Sequence, residues 1–185
     1  EEFLKISSLE AHFSAEAFSA SEAIVGDESI FTDVFFDDPL GKTLSYLKTE
    51  GVFGGYPDGS FQSTTELNRA ELMKILVEAA GYDPSASEYG DCFPDVTDDW
   101  YARYVCLAES LGWVSGYDDG TFKPDQTVNK AEAMKMLINS FELYDYRCEM
   151  CGDVSEPFGD VRAGQWYMQY IATASDLGFL EEQGL

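Results

Sequence analysis

Two cationic side chains occupy the second position of a recurring tetrad, Arg69 in Asn68-Arg69-Ala70-Glu71 and Lys130 in Asn129-Lys130-Ala131-Glu132. Asn followed three residues later by Glu is the spacing of a capping box, so each tetrad opens a helix and sets its cation in the first turn. A cation there faces the positive end of the helix dipole at a cost of about a few tenths of a kcal/mol, which a bound anion would remove. Free backbone N–H groups at the same end would hold that anion as well. Of eleven basic residues, Arg69, Lys74, Lys123, Lys130 and Lys135 fall in the two blocks around these helix starts. Local attraction for an anion is the chemistry this pattern suggests.

Four cysteines offer a second chemistry. Their even number fits an oxidising compartment and three pairings. The favoured one joins Cys92 to Cys106, which flank one turn and helix start, and leaves Cys148 to pair with Cys151. The rival is half a zinc site at Cys148-x-x-Cys151, but the other cysteines lack a second short spacing and His12 is the sole histidine. Aspartates gather at Asp95, Asp98 and Asp99 and again at Asp118, Asp119 and Asp125, which raises calcium as a cofactor, although the ligand order of an EF-hand is absent and capping or turn formation explains most of them. Glu71 and Glu132 read as capping residues rather than a glycosidase pair. With no nucleophile elbow, no phosphate-cradling loop and no Cys–His pair, no enzyme is expected.

The elements that position these residues repeat. Gly55-Tyr56-Pro57-Asp58-Gly59-Ser60-Phe61 returns 61 residues later as Gly116-Tyr117-Asp118-Asp119-Gly120-Thr121-Phe122. The lead-in occurs three times, as Phe31-Thr32-Asp33-Val34, Phe93-Pro94-Asp95-Val96 and Phe158-Gly159-Asp160-Val161. Such self-similarity marks units that cannot bury their apolar faces alone. After each lead-in comes a helix with apolar residues at helical spacing: Trp100, Tyr104, Ala108 and Leu111 with Asp98 as N-cap and Gly112 as terminator, Trp166, Tyr170, Ala174 and Leu177 before Gly178, and more loosely Leu40, Leu44 and Leu47 before Gly51. A tight surface turn rather than a strand pair follows. The second helix then begins at the tetrad, with an expected buried face of Ala70, Leu72, Ile75, Leu76 and Ala79 in one copy and Ala131, Met134, Leu137, Ile138 and Phe141 in the other. Trp100 and Trp166 are expected to plug the core between units.

The expected organisation is an N-terminal helical segment over 1–30, repeats over 31–90 and 91–157, and a partial repeat over 158–185. Ser7-x-x-Glu10 is also a capping-box pattern, so the first segment resembles a diverged second helix and could complete the partial repeat, from its own chain or from a neighbour in a filament or lattice. A net charge of -24 argues against nucleic acid, and no apolar run is long enough to span a bilayer. The start at Glu1 without Met suggests a signal peptide already removed.

Taken in order over residues 31 to 180, the lead-in, the Trp-bearing helix, the G-Y-x-D-G-x-F turn and the x-R-A-E helix start resemble S-layer homology domains. The resemblance implies a mainly α fold of helix-turn-helix units packed with pseudo-threefold symmetry. It implies an extracellular module at the cell wall or S-layer that anchors its protein by binding anionic wall polysaccharide in grooves between units. In that family the ligand is held by the Arg of Thr-Arg-Ala-Glu, a role that falls here to Arg69 and, less well, to Lys130. Lys lacks the bidentate fork that suits a carboxylate, so the second site should be weaker. The third position would fall on Ser8. Tyr56 and Tyr117 are expected to face the glycan, with Asp58 and Asp119 from the same turns, while Phe61 and Phe122 pack. Arg69→Ala should then weaken binding with little loss of stability. The second reading is a structural subunit of an S-layer or filament, a homo-polymer joined by exchange of the N-terminal helix.

Overall fold

The computed structural model describes residues 29–38, 40–85, 92–97, 99–143, 158–162 and 164–180. The N-terminal helical segment up to residue 28, His12, Asp98, Cys148 and Cys151 lie outside them. The chain divides into two compact units, Glu1–Thr64 and Thr65–Leu185.

In the first unit, strands β1 (Ser29–Phe31) and β2 (Val34–Phe35) pair antiparallel, and helix α1 (Gly41–Thr49) follows. Phe31, Val34 and Leu44 form a small buried cluster with Phe53 and Phe61 against it. Only Leu44 of the three expected leucines is fully buried. Leu40 precedes α1 and is 61% exposed, as the looser sequence pattern there would allow.

The second unit is helical among its described residues: α2 (Arg69–Ala79), α3 (Ala102–Ser110), α4 (Lys130–Ser140) and α5 (Met168–Asp176). Helix α2 packs on both α3 and α4, and α4 packs on α5. Both capping boxes form. Asn68 accepts from the Glu71 N–H while Glu71 accepts from the Asn68 N–H, and Asn129 and Glu132 do the same. Because α2 is bordered by two helices, its buried face is shifted from the expected one. Met73 and Val77 are fully buried, and Ile75 and Ala79 only half so. In α4, Ile138 is buried as expected and Met136 joins it, while Ala131 and Met134 pack against a separate cluster of Val161, Met168 and Ile171.

Helix α3 starts later than its periodicity suggests. The Ala102 N–H donates to the Asp99 carbonyl in a turn through Trp100, and the N-cap position is Tyr101, with no side-chain cap, rather than Asp98. Trp100 therefore stands ahead of the helix, 48% exposed, and Trp166 stands likewise ahead of α5, 52% exposed. Neither plugs the core, and the buried tryptophan is Trp113. Gly112 terminates α3 at φ +75°, with the Gly112 N–H on the Glu109 carbonyl and the Trp113 N–H on the Ala108 carbonyl, a Schellman pair. Cys92 and Cys106 form the expected disulfide, tying the lead-in to α3 with Cα atoms 5.3 Å apart.

Candidate functional site

The Gly-Tyr turns are closed by their own aspartates. Asp58 Oδ1 accepts from the Ser60 N–H (2.9 Å) and hydroxyl (2.6 Å), and Asp119 Oδ1 accepts from the Thr121 N–H (3.0 Å) and hydroxyl (2.6 Å). These bonds hold both carboxyls below the usual range, and Asp119, which also pairs with Lys123 at 3.1 Å, falls to about 2. Both aspartates thus shape the loops that present Tyr56 and Tyr117.

A second pair of carboxylates, missed in the sequence, anchors each turn to its lead-in. Asp33 accepts from the N–H groups of Phe61 and Gln62, both at 2.7 Å, and Asp95 from those of Phe122 (2.8 Å) and Lys123 (2.7 Å). Gln62 and Lys123 each sit at φ 58°, in the left-handed region that side chains disfavour, so the carboxylate fork holds a backbone that would otherwise relax. The lead-in phenylalanines close the same joint: a Cβ on Gly55 would lie 2.6 Å from the Phe31 ring, and one on Gly116 would lie 2.7 Å from that of Phe93. The recurrence of Asp two residues after each lead-in Phe was the available signal. Asp95 and Asp119 are thereby occupied, and among the described residues no group of three or more His, Cys, Asp or Glu side chains could hold a metal ion.

Arg69 leaves the first turn of α2 and reaches the turn of the following repeat. Its guanidinium carbon lies 4.6 Å from the Tyr117 ring centroid and 4.7 Å from that of Phe122, its Nε donates to the Phe122 carbonyl at 2.8 Å, and one terminal nitrogen is 3.7 Å from Glu132 Oε1. The Tyr117 hydroxyl donates to the same carboxylate oxygen at 2.7 Å and accepts from Gln126 Nε2 at 2.7 Å. Glu132 therefore caps α4 with one oxygen and receives Tyr117 and the Arg69 charge with the other. Burial depresses the Arg69 pKa against the opposing fields of Tyr117, Glu132 and Asp95, and burial with the Glu132 hydrogen bond raises that of Tyr117.

Two expectations change here. Arg69 is only 5% exposed and joins two repeats, so its removal cannot be nearly neutral for stability. The N–H groups at the α2 start are also not free, because Arg69 N–H donates to the Gln126 carbonyl and Ala70 N–H to the Pro124 carbonyl, both at 3.0 Å. Those two N–H groups are therefore already engaged by the chain itself. The Arg69 side chain is only 6% exposed where it meets Glu132. Phe122 is wholly buried and Tyr56 is 38% exposed, whereas Phe61 and Tyr117 are both half-buried. Lys130 is exposed at the start of α4.

The S-layer homology domain model matches residues 30–73 and 93–134, each stretch spanning a lead-in, its turn and the following capped tetrad. The chain belongs to the S-layer homology family. Similar relatives include cell surface glycoprotein 1 of Acetivibrio thermocellus, 33% identical over 146 residues that make up 76% of this chain and 6% of that protein. The cellulosome-anchoring protein of the same organism is 28% identical over 85% of this chain and 35% of its own length. A surface layer protein of Brevibacillus choshinensis is 30% identical over 69% of this chain and 12% of its length. The chain thus spans about a third or less of these S-layer homology relatives. Some further matches carry enzyme names, an uncharacterized cell wall amidase and an amylopullulanase among them.

Proposed function

We propose that this S-layer homology chain is a non-catalytic anchoring module that binds anionic cell-wall polysaccharide at the joint between one repeat's helix start and the next repeat's turn. It is an extracellular protein of the cell wall or S-layer, as its relatives' names state of themselves. The observation that carries the reading is Arg69, a cation within 4.7 Å of two aromatic ring centroids at the joint of two repeats, on a chain of net charge -24. The rings and Glu132 fix the guanidinium so that little ordering entropy remains to be lost when a carboxylate arrives. Tyr56 offers an aromatic face to a sugar ring, while Tyr117, whose ring meets Arg69 and Lys123, holds those cations at the joint; Asp58 and Asp119 keep their turns in shape, and Lys130 supplies a weaker, single-point cation. In this reading, repeats over 31–90 and 91–157 and a partial one over 158–185 pack with pseudo-threefold symmetry, and the segment over 1–30 completes the third.

Co-sedimentation with Acetivibrio thermocellus sacculi tests it. The protein is expected to pellet with intact sacculi and to remain in solution with sacculi stripped of polysaccharide by acid. Equal pelleting with both would contradict a polysaccharide ligand.

A further inference from the structure

The Cys92–Cys106 disulfide reaches the site around Arg69 through a short chain of contacts. Cys106 sits on α3, 4% exposed in the main core, and α3 packs on α2, the helix that carries Arg69. Cys92 directly precedes Phe93. The Phe93 ring lies 5.5 Å from that of Phe122, and Asp95, two residues on, accepts from the Phe122 and Lys123 N–H groups. Phe122 in turn accepts from Arg69 Nε through its carbonyl and presents its ring to the guanidinium. One covalent bond thus ties the lead-in that shapes the Phe122 turn to the helix layer that carries Arg69.

The other repeats carry no sulfur at these positions. Counted from the lead-in phenylalanine and back from the glycine that ends each helix, Ile30 and Ser45 stand where Cys92 and Cys106 do, and so do Pro157 and Ala172. In the first repeat the Lys48 ammonium donates to the Ile30 carbonyl at 2.6 Å, fastening α1 to the residue that corresponds to Cys92. The second repeat has Glu109 in the place of Lys48, and a carboxylate cannot donate to a carbonyl. The crosslink takes the place of that hydrogen bond in the repeat whose turn receives Arg69.

We infer that Cys92–Cys106 is a redox latch on the Arg69 site, closed by oxidation and opened by a dithiol reductant; only the identity of what the site holds rests on the wall-polysaccharide reading. Cys92 is half-buried and Cys106 buried, so an attacking thiolate meets Cys92 Sγ first. A bond forms from the reagent's sulfur to Cys92 Sγ, and the electron pair of the broken S–S bond leaves on Cys106 Sγ, which takes a proton. The reagent's second thiolate then displaces Cys92 and closes a cyclic disulfide. The dithiol has given two electrons and two protons, and the protein holds two thiols. With that tie gone and Glu109 in the place of Lys48, the lead-in slackens, Asp95 and Phe93 lose their grip on the turn, and Lys123 relaxes from φ 58°. Arg69 then loses the carbonyl and the ring that fix its guanidinium. A local thiol change that biases a neighbouring two-state element is the general form of a redox switch.

Nuclear magnetic resonance of the Arg69 Nε–H and of the Phe122 and Lys123 amides reads the latch in the folded chain. The Phe61 and Gln62 amides, held by Asp33 in the first turn, and the Ile138 amide in the core are internal references. Dithiothreitol is expected to shift the three signals of the second turn and leave the references in place, and reoxidation should restore them. A Cys92→Ile, Cys106→Ala variant, built from residues the other repeats carry there, should show the shifted signals from the outset. It should not respond to dithiothreitol, although it keeps Cys148 and Cys151. Affinity for polysaccharide released from Acetivibrio thermocellus sacculi should fall about tenfold on reduction, as when the competent turn is populated roughly one part in ten. Second-turn signals that stay put in the fully reduced chain would overturn the latch. Equal movement of the references, an equal response in the variant, or an affinity that reduction leaves unchanged would overturn it too. If the signals respond but neither form binds the polysaccharide, wall anchoring falls and the latch stands; if the polysaccharide binds and the signals are silent, the reverse holds.

Discussion

Arg69 and Tyr117 are partners across two repeats: the guanidinium carbon lies 4.6 Å from the ring centroid, and the same arginine donates to the carbonyl of Phe122, 53 residues further along the chain. The residue that meets the ligand in the proposed function is therefore also a joint of the fold. A ligand contact and a packing contact are usually separable by mutation. In the proposed function they share one side chain.

Removing that side chain should destabilise. Arg69→Ala leaves the Glu132 carboxylate without its cation, the Phe122 carbonyl without a donor, and a space between two rings. The expected loss is about 3 kcal/mol, typical of breaking a buried charged pair, measured by urea unfolding. A loss under about 0.5 kcal/mol, the range of ordinary surface substitutions, would show that the joint carries no structural weight.

The Asp95 fork gives a second test. Asp95→Ala removes two hydrogen bonds to a charged acceptor and releases Lys123 from its left-handed conformation, and about 1.5 to 3 kcal/mol should be lost. Amide exchange at Phe122 and Lys123 should accelerate more than at Leu76 or Val105 in the core. Uniform protection across the four amides would count against the fork.

Reduction of Cys92–Cys106 frees a loop with a sequence separation of 14. The chain-entropy relation gives about 3 kcal/mol for a loop of that size, so the Cys92→Ser, Cys106→Ser double variant should melt several degrees lower. Melting unchanged by the double substitution would mean that α3 and its lead-in hold together without the crosslink.

Acid should weaken the turns in a defined window. Asp119 titrates near 2 in the folded chain, below the ordinary carboxylate value of about 3.9, and Asp33 and Asp58 are also lowered by the N–H and hydroxyl groups they accept from. As pH falls the unfolded chain takes up these protons first, so the stabilisation is whole above about pH 4 and is lost as pH drops toward 2. Asp119→Asn should flatten the decline in melting temperature across that window, and an identical slope would remove Asp119 from the account.

What was legible in the sequence was local. The capping boxes at Asn68 and Asn129 need four consecutive residues, and the Asp58 and Asp119 turns need fewer, so residue order alone announced them. The Cys92–Cys106 pairing was legible because both cysteines flank one helix start. What stayed hidden crosses the chain. Asp33 reaches Phe61 over 28 residues and Asp95 reaches Phe122 over 27, and no spacing rule links a carboxylate to backbone amides so far away. Arg69 read as a surface cation because its helix position is exposed in isolation, whereas Tyr117, Phe122 and Glu132 enclose it. Trp100 and Trp166 read as core because they fit a helical apolar stripe, but each lies two residues before its helix begins, where the stripe no longer faces inward.

The most direct measurement of the central claim is the affinity for polysaccharide released from Acetivibrio thermocellus sacculi, determined by titration calorimetry for the unmodified chain and for Arg69→Lys. Lys keeps the charge between the Tyr117 and Phe122 rings but loses the planar fork, so affinity should fall about tenfold while the circular dichroism spectrum stays folded. An Arg69→Lys chain that binds as tightly as the unmodified one would contradict recognition by the Arg69 guanidinium.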